Sequence, residues 1–341
     1  MSRTRVLITG ASGFVGFHLP QALARVCGES VEIVATSKDP GSQGTHGAIE
    51  ALDVLNSAAI ADMIGRHQPT HIVHLAGIAA PSVANADARM SWDLHLGSAL
   101  NLGEAILAHA PDCWLLHVGT GMVYGETARS GQALREDALL APLDEYGASK
   151  AAADLALGGM VRRGLRSIRF RPFNHSGPGQ GDAFVLPSFA RQVARIEAGL
   201  APPVLKVGNL DAERDFLHVA DVVDAYARTV QRTASLEPGT IFNIASGLPR
   251  RIGSILEDLL IRCRVKIDVE QDRARMRPSD IPCIIGNADR AGTALEWAPR
   301  HSFDDIVADV LNDWRERIAS GHGETVLSPA ENSKKSMSRP E

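Results

Sequence analysis

Long basic stretches are missing from this sequence, whose formal net charge is −5. That removes the electrostatic footprint of a nucleic-acid binder, while leaving room for a local basic pocket that takes an anionic substrate. Cysteine is scarce: Cys27, Cys113, Cys263 and Cys283 form no Cys-x-x-Cys pair, and no histidine cluster has zinc spacing. The thiols read as buried or idle in a reducing cytosol, and no metal site is expected. Uninterrupted apolar runs of about eighteen residues are absent, so no membrane span is expected. The opening residues MSRTR run straight into an apolar segment without the long apolar core of a signal peptide, which makes a cytoplasmic protein the expectation. There is no internal repeat.

What is present suits a full core. The chain has 341 residues, of which 45% are hydrophobic and 22% charged. That length fits two domains, or one large domain with an appended lobe. In the first half, short apolar runs at 5–9, 31–36, 72–75 and 114–118 read as buried strands. Helical patterns near 15–26, 58–66 and 96–108 separate them. Such alternation implies right-handed crossovers and a parallel sheet covered on both faces. A further strand at 167–171 leads into Pro172-Phe173-Asn174-His175. Beyond about residue 176 glycine and proline become frequent and helices shorter, with strands expected at 216–219 and 241–244. The expected fold is α/β, a doubly wound parallel Rossmann sheet with a smaller α/β C-terminal lobe. Residues 1–175 would form the main sheet domain, with 215–246 returning to it in part. Residues 176–318 would form mainly the smaller lobe, and 320–341 a disordered tail.

The first strand is followed at once by Thr9-Gly10-Ala11-Ser12-Gly13-Phe14-Val15-Gly16 and then by a helix. Glycines there let the backbone approach a diphosphate, and the helix N-terminus adds free N–H groups and a favourable dipole. A glycine triplet alone is weak evidence; between a first strand and a first helix it is strong. The second strand ends Ala35-Thr36-Ser37-Lys38, where an acid would favour NAD. A hydroxyl and a lysine instead suit the extra phosphate of NADP, so NADP is favoured and NAD is the alternative; Lys38 could equally be a solvated surface charge. Asp53, beside Val54, could bond the adenine amino group or simply cap a helix. Leu75, Ala76 and Gly77 end the fourth strand and would let the chain pass beside the cofactor.

Tyr146 and Lys150 stand four residues apart, on one face of a helix. An ammonium near a phenol favours the phenolate and lowers its pKa, which suits proton transfer near neutral pH. Upstream, Thr120 in Gly119-Thr120-Gly121-Met122 could bond the substrate oxygen; as an alternative it caps a turn. Tyr124 reads as structural.

These residues carry a family resemblance over nearly the whole chain, to about Arg317. The sequence resembles the extended short-chain dehydrogenase/reductases, which are nucleotide-sugar epimerases, dehydratases and reductases. The resemblance implies that Gly10, Gly13 and Gly16 bind the cofactor and that Thr120, Tyr146 and Lys150 do the chemistry. Three later blocks, RPFNHSGPGQ at 171–180, LKVGNLDAERDF at 205–216 and RPSD at 277–280, resemble the branch of GDP-4-keto-6-deoxy-mannose reductases and GDP-mannose 4,6-dehydratases. They imply a GDP-sugar substrate held by Asn174, Lys206, Arg214 and Arg277, since arginines grip a diphosphate bidentately. Family dehydratases carry an acid just after the catalytic threonine, where this chain has Gly121 and Met122. A family asparagine slot falls on Leu94. The expected reaction is reduction of the C4 keto group of a GDP-4-keto-6-deoxy-hexose, giving a GDP-6-deoxy-hexose of the GDP-D-rhamnose type. The rivals are a C4 epimerase that retains NAD, then a 4,6-dehydratase or a non-catalytic cofactor sensor. A homodimer is common in the family and is expected here.

Overall fold

The computed structural model describes residues 3–321 except 29, 40–46 and 277–280. Arg277 and the expected C-terminal tail therefore lie outside the described residues, apart from the tail's first two positions.

The chain begins with strand β1 (Arg5–Thr9), helix α1 (Phe14–Cys27), β2 (Glu32–Ser37), the short β3 (Glu50–Ala51), α2 (Ser57–His67) and β4 (His71–His74). Two short helices, α3 (Pro81–Ala86) and α4 (Ala88–Trp92), run through a π-helical turn at Asp93–Gly97 into α5 (Ser98–His109) and β5 (Trp114–Val118). A kinked 3₁₀ segment, Gly121–Ser130, precedes α6 (Glu145–Val161) and β6 (Arg166–Pro172). Then come β7 (Asn174–Ser176), α7 (Val185–Glu197), β8 (Val204–Val207), β9 (Glu213–His218), α8 (Val219–Arg232) and β10 (Ile241–Ile244). The last elements are β11 (Pro249–Arg251), α9 (Ile252–Ile261), β12 (Asp268–Gln271), β13 (Cys283–Ile284), α10 (Asp289–Leu295) and α11 (Phe303–Ala319).

Seven parallel strands form the main sheet in the order β10-β6-β5-β4-β1-β2-β3. The twofold pleat of β1 serves both faces. Val6 and Ile8 join the core under α1 and α8, whereas Leu7 joins the core under α2, α5 and α6. A strand buried on both sides must be apolar throughout, which is why the run Val-Leu-Ile is continuous. Helix α8 packs on α1, and Tyr226 on α8 meets Phe170 of β6 at 4.6 Å between ring centroids. Segment 219–244 thus returns to the main sheet and closes it with β10. A separate apolar core, with Leu186, Phe189, Val193, Leu256, Val310 and Trp314, joins α7, α9 and α11 over β8 and β9. Strand β9 starts three residues earlier than the sequence pattern implied, because Glu213–Asp215 pair with β11 while Glu213 and Arg214 also pair with β13.

Candidate functional site

One cavity of about 1160 Å³ runs from the β1–α1 loop, past the ends of β4, β5 and β6, to the second core's surface. It lies outside the carboxyl ends of the parallel strands, where open α/β sheets bind ligands. Among the catalytic, cofactor and substrate residues expected from the sequence, all the described ones line it except Lys206.

At its first end the glycines are required by packing. A Cβ on Gly10 (φ +72°) would sit 2.7 Å from the Ala76 nitrogen, and one on Gly16 would sit 2.5 Å from the Gly10 carbonyl oxygen. The loop is pinned by the Ala11 N–H donating to the Thr36 carbonyl at 2.9 Å and Gly13 N–H to Gly10 at 3.0 Å. Helix α1 starts here with no side-chain cap at Gly13, so its first-turn N–H groups are not taken by one. Phe14, Val15 and Gly16 line the cavity, and the Phe14 ring stacks on His175 at 6.1 Å. This uncapped cradle, open at its glycines, fits the diphosphate of a dinucleotide.

Beside it, the hydroxyls of Ser12 and Ser37 lie 2.7 Å apart, and Lys38 Nζ is 3.2 Å from Asp53 Oδ2. The other Asp53 oxygen accepts the Leu55 N–H at 3.0 Å. That bond, and then Lys38, hold the Asp53 carboxyl below its ordinary pKa. The cap of α2 is Asn56, which accepts from the Ala59 N–H, so the capping alternative for Asp53 does not hold. Val54, Leu75, Ala76 and Gly77 complete this wall.

In the middle, Thr120 stands just beyond β5, where its hydroxyl accepts the Met122 N–H at 3.2 Å and faces the Tyr146 phenol. Asp144 caps α6 by accepting from the Gly147 N–H at 2.8 Å, which sets Tyr146 and Lys150 on the helix's first turns. Both side chains are buried at the cavity wall. The electrostatics differ from the sequence expectation. Burial pushes the Tyr146 phenol up to about 12, opposed by the Thr120 hydrogen bond. Lys150 donates to the Val118 carbonyl at 3.1 Å, and burial brings it down to about 8. The shift on the phenol is therefore set by desolvation, and the acidifying effect expected of the lysine is not among its causes.

Tyr124 is structural. Its hydroxyl donates to Asn243 Oδ1 at 2.7 Å and accepts from Arg171 at 3.0 Å. Arg171 and Arg169 both bind Asp154, with closest contacts of 2.8 Å. Through Tyr124 this buried network ties the Gly121–Ser130 segment to β6 and β10. A Cβ on Gly121 would lie 3.2 Å from the Phe173 ring, so the slot beside Thr120 has no space for an acid without movement. The carboxylates that do line the cavity are Asp53, Asp144 and Asp182. Asp53 pairs with Lys38, Asp144 caps α6 and binds Asn85 at 3.1 Å, and Asp182 pairs with Arg191 at 3.1 Å.

The far end holds Asn174, Arg214 and Arg275. Arg214 donates to the carbonyls of Glu213 and Ile281 at 2.8 and 2.9 Å, which fixes its guanidinium at the wall. Lys206 corrects the sequence reading. On β8 the pleat buries Leu205 and Val207 and sends Lys206 outward to solvent, away from the cavity. Arg275, two residues before Arg277, went unnoticed in the sequence; it occupies the 3₁₀ turn Arg273–Arg275 and contacts Ser188. Also unnoticed were Asn85, which accepts the Tyr146 N–H at 3.0 Å, and the buried His95. Among the described residues no cluster could hold a metal ion, and no helix is long and apolar enough to cross a membrane.

Comparison with known proteins agrees with this geometry. The family described as GDP-mannose 4,6 dehydratase matches residues 7–310. The chain is 32% identical over 315 residues to GDP-6-deoxy-D-mannose reductase of Pseudomonas aeruginosa, covering 92% of this chain and 98% of that one. It is 29% identical over 342 residues to UDP-glucose 4-epimerase of Azospirillum brasilense, covering 94% of each. The solved structure of RMD from Pseudomonas aeruginosa complexed with NADPH superposes with a TM-score of 0.80 at 31% identity, covering 92% of this chain and 99% of that one.

Proposed function

Because this chain belongs to the GDP-mannose 4,6 dehydratase family of Rossmann-fold epimerases and dehydratases, we propose that it reduces the C4 ketone of a GDP-4-keto-6-deoxy-hexose, with NADPH as the donor. The product would be a GDP-6-deoxy-hexose of the GDP-D-rhamnose type. The observation that carries this reading is one continuous cavity in which Thr120, Tyr146 and Lys150 stand between the glycine cradle and Arg214, while every carboxylate lining it is already engaged.

Gly10, Gly13 and Gly16 would hold the reduced dinucleotide, whose chemistry, when bound, would be donation of a hydride to C4. The chain's own residues handle the proton. Tyr146, held protonated by burial, donates its phenolic hydrogen to the carbonyl oxygen as that oxygen becomes an alcohol. Thr120, which lines the cavity beside the phenol, orients the same oxygen. Lys150 places a buried positive charge beside the site at neutral pH. Hydride plus proton convert one ketone to one alcohol, so no further acid or base is needed. Elimination of water from the sugar would need another proton carrier near Thr120, where Gly121 and Met122 stand.

NADPH is favoured over NADH because the second strand ends in Ser37 and Lys38, beside Ser12, rather than in an acid. The diphosphate of the sugar nucleotide would lie against Arg214 and Arg275, with Asn174 at a phosphate or hydroxyl. A homodimer is part of the same reading, supported by Leu155, which stands exposed on α6; a single-protomer mass by light scattering would remove it.

The test follows NADPH oxidation by absorbance, with GDP-4-keto-6-deoxy-mannose generated in place by a dehydratase. Oxidation coupled to a GDP-6-deoxy-hexose product supports the proposal. No net oxidation of NADPH or NADH, together with a dinucleotide that survives purification, would move the assignment to a C4 epimerase.

A further inference from the structure

His95 is the third residue of the π-helical turn Asp93–Gly97. Such turns insert an extra residue into a helix and re-aim the side chains around it. Here His95 is 1% exposed and lies between the Ile78 backbone and Ser149 on α6. On one side Nδ1 is 2.8 Å from Ser149 Oγ, and Ser149 Oγ donates to the Tyr146 carbonyl at 3.1 Å. On the other side Nε2 lies 3.2 Å from the Ile78 nitrogen and 3.0 Å from its carbonyl oxygen. The imidazole edge meets the Tyr146 ring at 5.7 Å and 82°.

Either neutral tautomer bridges the two segments. With the proton on Nδ1, the ring donates to Ser149, Ser149 donates to the Tyr146 carbonyl, and Nε2 accepts the Ile78 N–H; with it on Nε2, the ring donates to the Ile78 carbonyl and Nδ1 accepts from Ser149. Both need a neutral ring. Burial, and then the charge of Lys150, hold His95 down to about 3, so the ring is neutral throughout the working range. The packing is equally close. A Cβ on Gly77 would lie 3.1 Å from His95 Cδ2 and 3.5 Å from Lys150 Nζ. Gly77 and Ile78 line the cavity on the cofactor side, next to Tyr146 and Lys150.

We infer that His95 is a positioning residue for the reaction proposed above: a neutral bracket that fixes the Gly77–Ile78 loop to the turn of α6 bearing Tyr146 and Lys150. It touches neither substrate nor reacting atoms in this role. It keeps the distance between the wall where the nicotinamide would lie and the proton donor, and misplacement by an ångström can cost roughly 100-fold in rate.

Three variants test it: His95→Leu, which removes both ends of the bracket; Ser149→Ala, which cuts the link to α6 with little change in volume; and His95→Gln, which retains a donor and an acceptor. Each is compared with the parent for kcat, for KM toward the keto-sugar, and for the NADPH dissociation constant by nucleotide fluorescence. We expect His95→Leu and Ser149→Ala to lower kcat about 10- to 100-fold, with the sugar KM unchanged within about threefold. His95→Gln should regain most of the loss. The NADPH dissociation constant of His95→Leu should rise severalfold, because the loop it releases lines the dinucleotide end. Should His95→Leu fail to fold, Ser149→Ala carries the same test. Parent-like kcat and NADPH affinity in the folded variants would overturn the inference, as would losses unrelieved by glutamine. The inference rests on the reductase reading, yet the two fail separately. If the parent binds NADPH but reduces no keto-sugar, the reductase reading falls, and the dissociation constants still decide the bracket.

Discussion

At the scale of the residue, the reaction centre is governed by desolvation. Tyr146 is pushed up to about 12 and so stays protonated, the state the proposed ketone reduction asks of it. Tyr146→Phe should lower kcat by about 10²- to 10⁴-fold, the usual range for a general acid. NADPH affinity measured by fluorescence should stay near the parent value. Lys150 is lowered from its ordinary value to about 8 by burial. Below that pH it is charged, and as pH rises through it the charge is lost. The pH profile of kcat/KM, which reports the free enzyme, should therefore fall on the alkaline side with a midpoint near the lysine's value, and Lys150→Met should lack that limb. The glycines, Thr120, Tyr146 and Lys150 could be read from the sequence because each belongs to a short run whose spacing is itself the signal. Arg275 and His95 could not. Arg275 is one basic residue among several in a turn, and His95 is significant only because the fold places it between Ile78 and Ser149. Lys206 belongs to the block at 205–216 that resembles the family, yet a strand sends alternate residues to opposite sides and Lys206 falls on the solvent side.

Among the elements, α6 does the most for the site, and its start is set by one carboxylate. Asp144 accepts the Gly147 N–H with one oxygen and the Asn85 amide with the other, while Asn85 accepts the Tyr146 N–H. Asp144→Ala should cost about 1 kcal/mol of stability, the ordinary worth of an N-cap. Asp144→Asn should recover most of it; chemical denaturation of the two variants checks the difference. The 3₁₀ segment before α6 depends on Gly125, whose φ is +46° and whose Cβ would strike the Ala141 carbonyl oxygen at 1.9 Å. The long central strands were legible because burial on both faces leaves uninterrupted apolar runs. Strands β11 and β12 were not, since Pro249–Arg251 and Asp268–Gln271 are exposed along their length and carry no alternation to read.

For the molecule as a whole, Asp154 on α6, Arg169 and Arg171 on β6, Tyr124 and Asn243 on β10 form one buried polar network that crosses from the first half of the chain to the second. Asp154→Ala would leave two buried guanidinium groups without their carboxylate, and such losses cost about 3–5 kcal/mol. The denaturant midpoint should drop accordingly, with activity lost through unfolding rather than through a change in KM. The same connectivity bears on how the protein is made. Strand β10 closes the β6 edge of the sheet and delivers Asn243 to Tyr124, yet it lies about seventy residues downstream of β6. During translation at about 5–20 residues per second, β6 emerges with an open edge and waits several seconds for its partner. A chain halted before residue 241 would present that bare edge to its neighbours, so prematurely terminated products should be the species that aggregate.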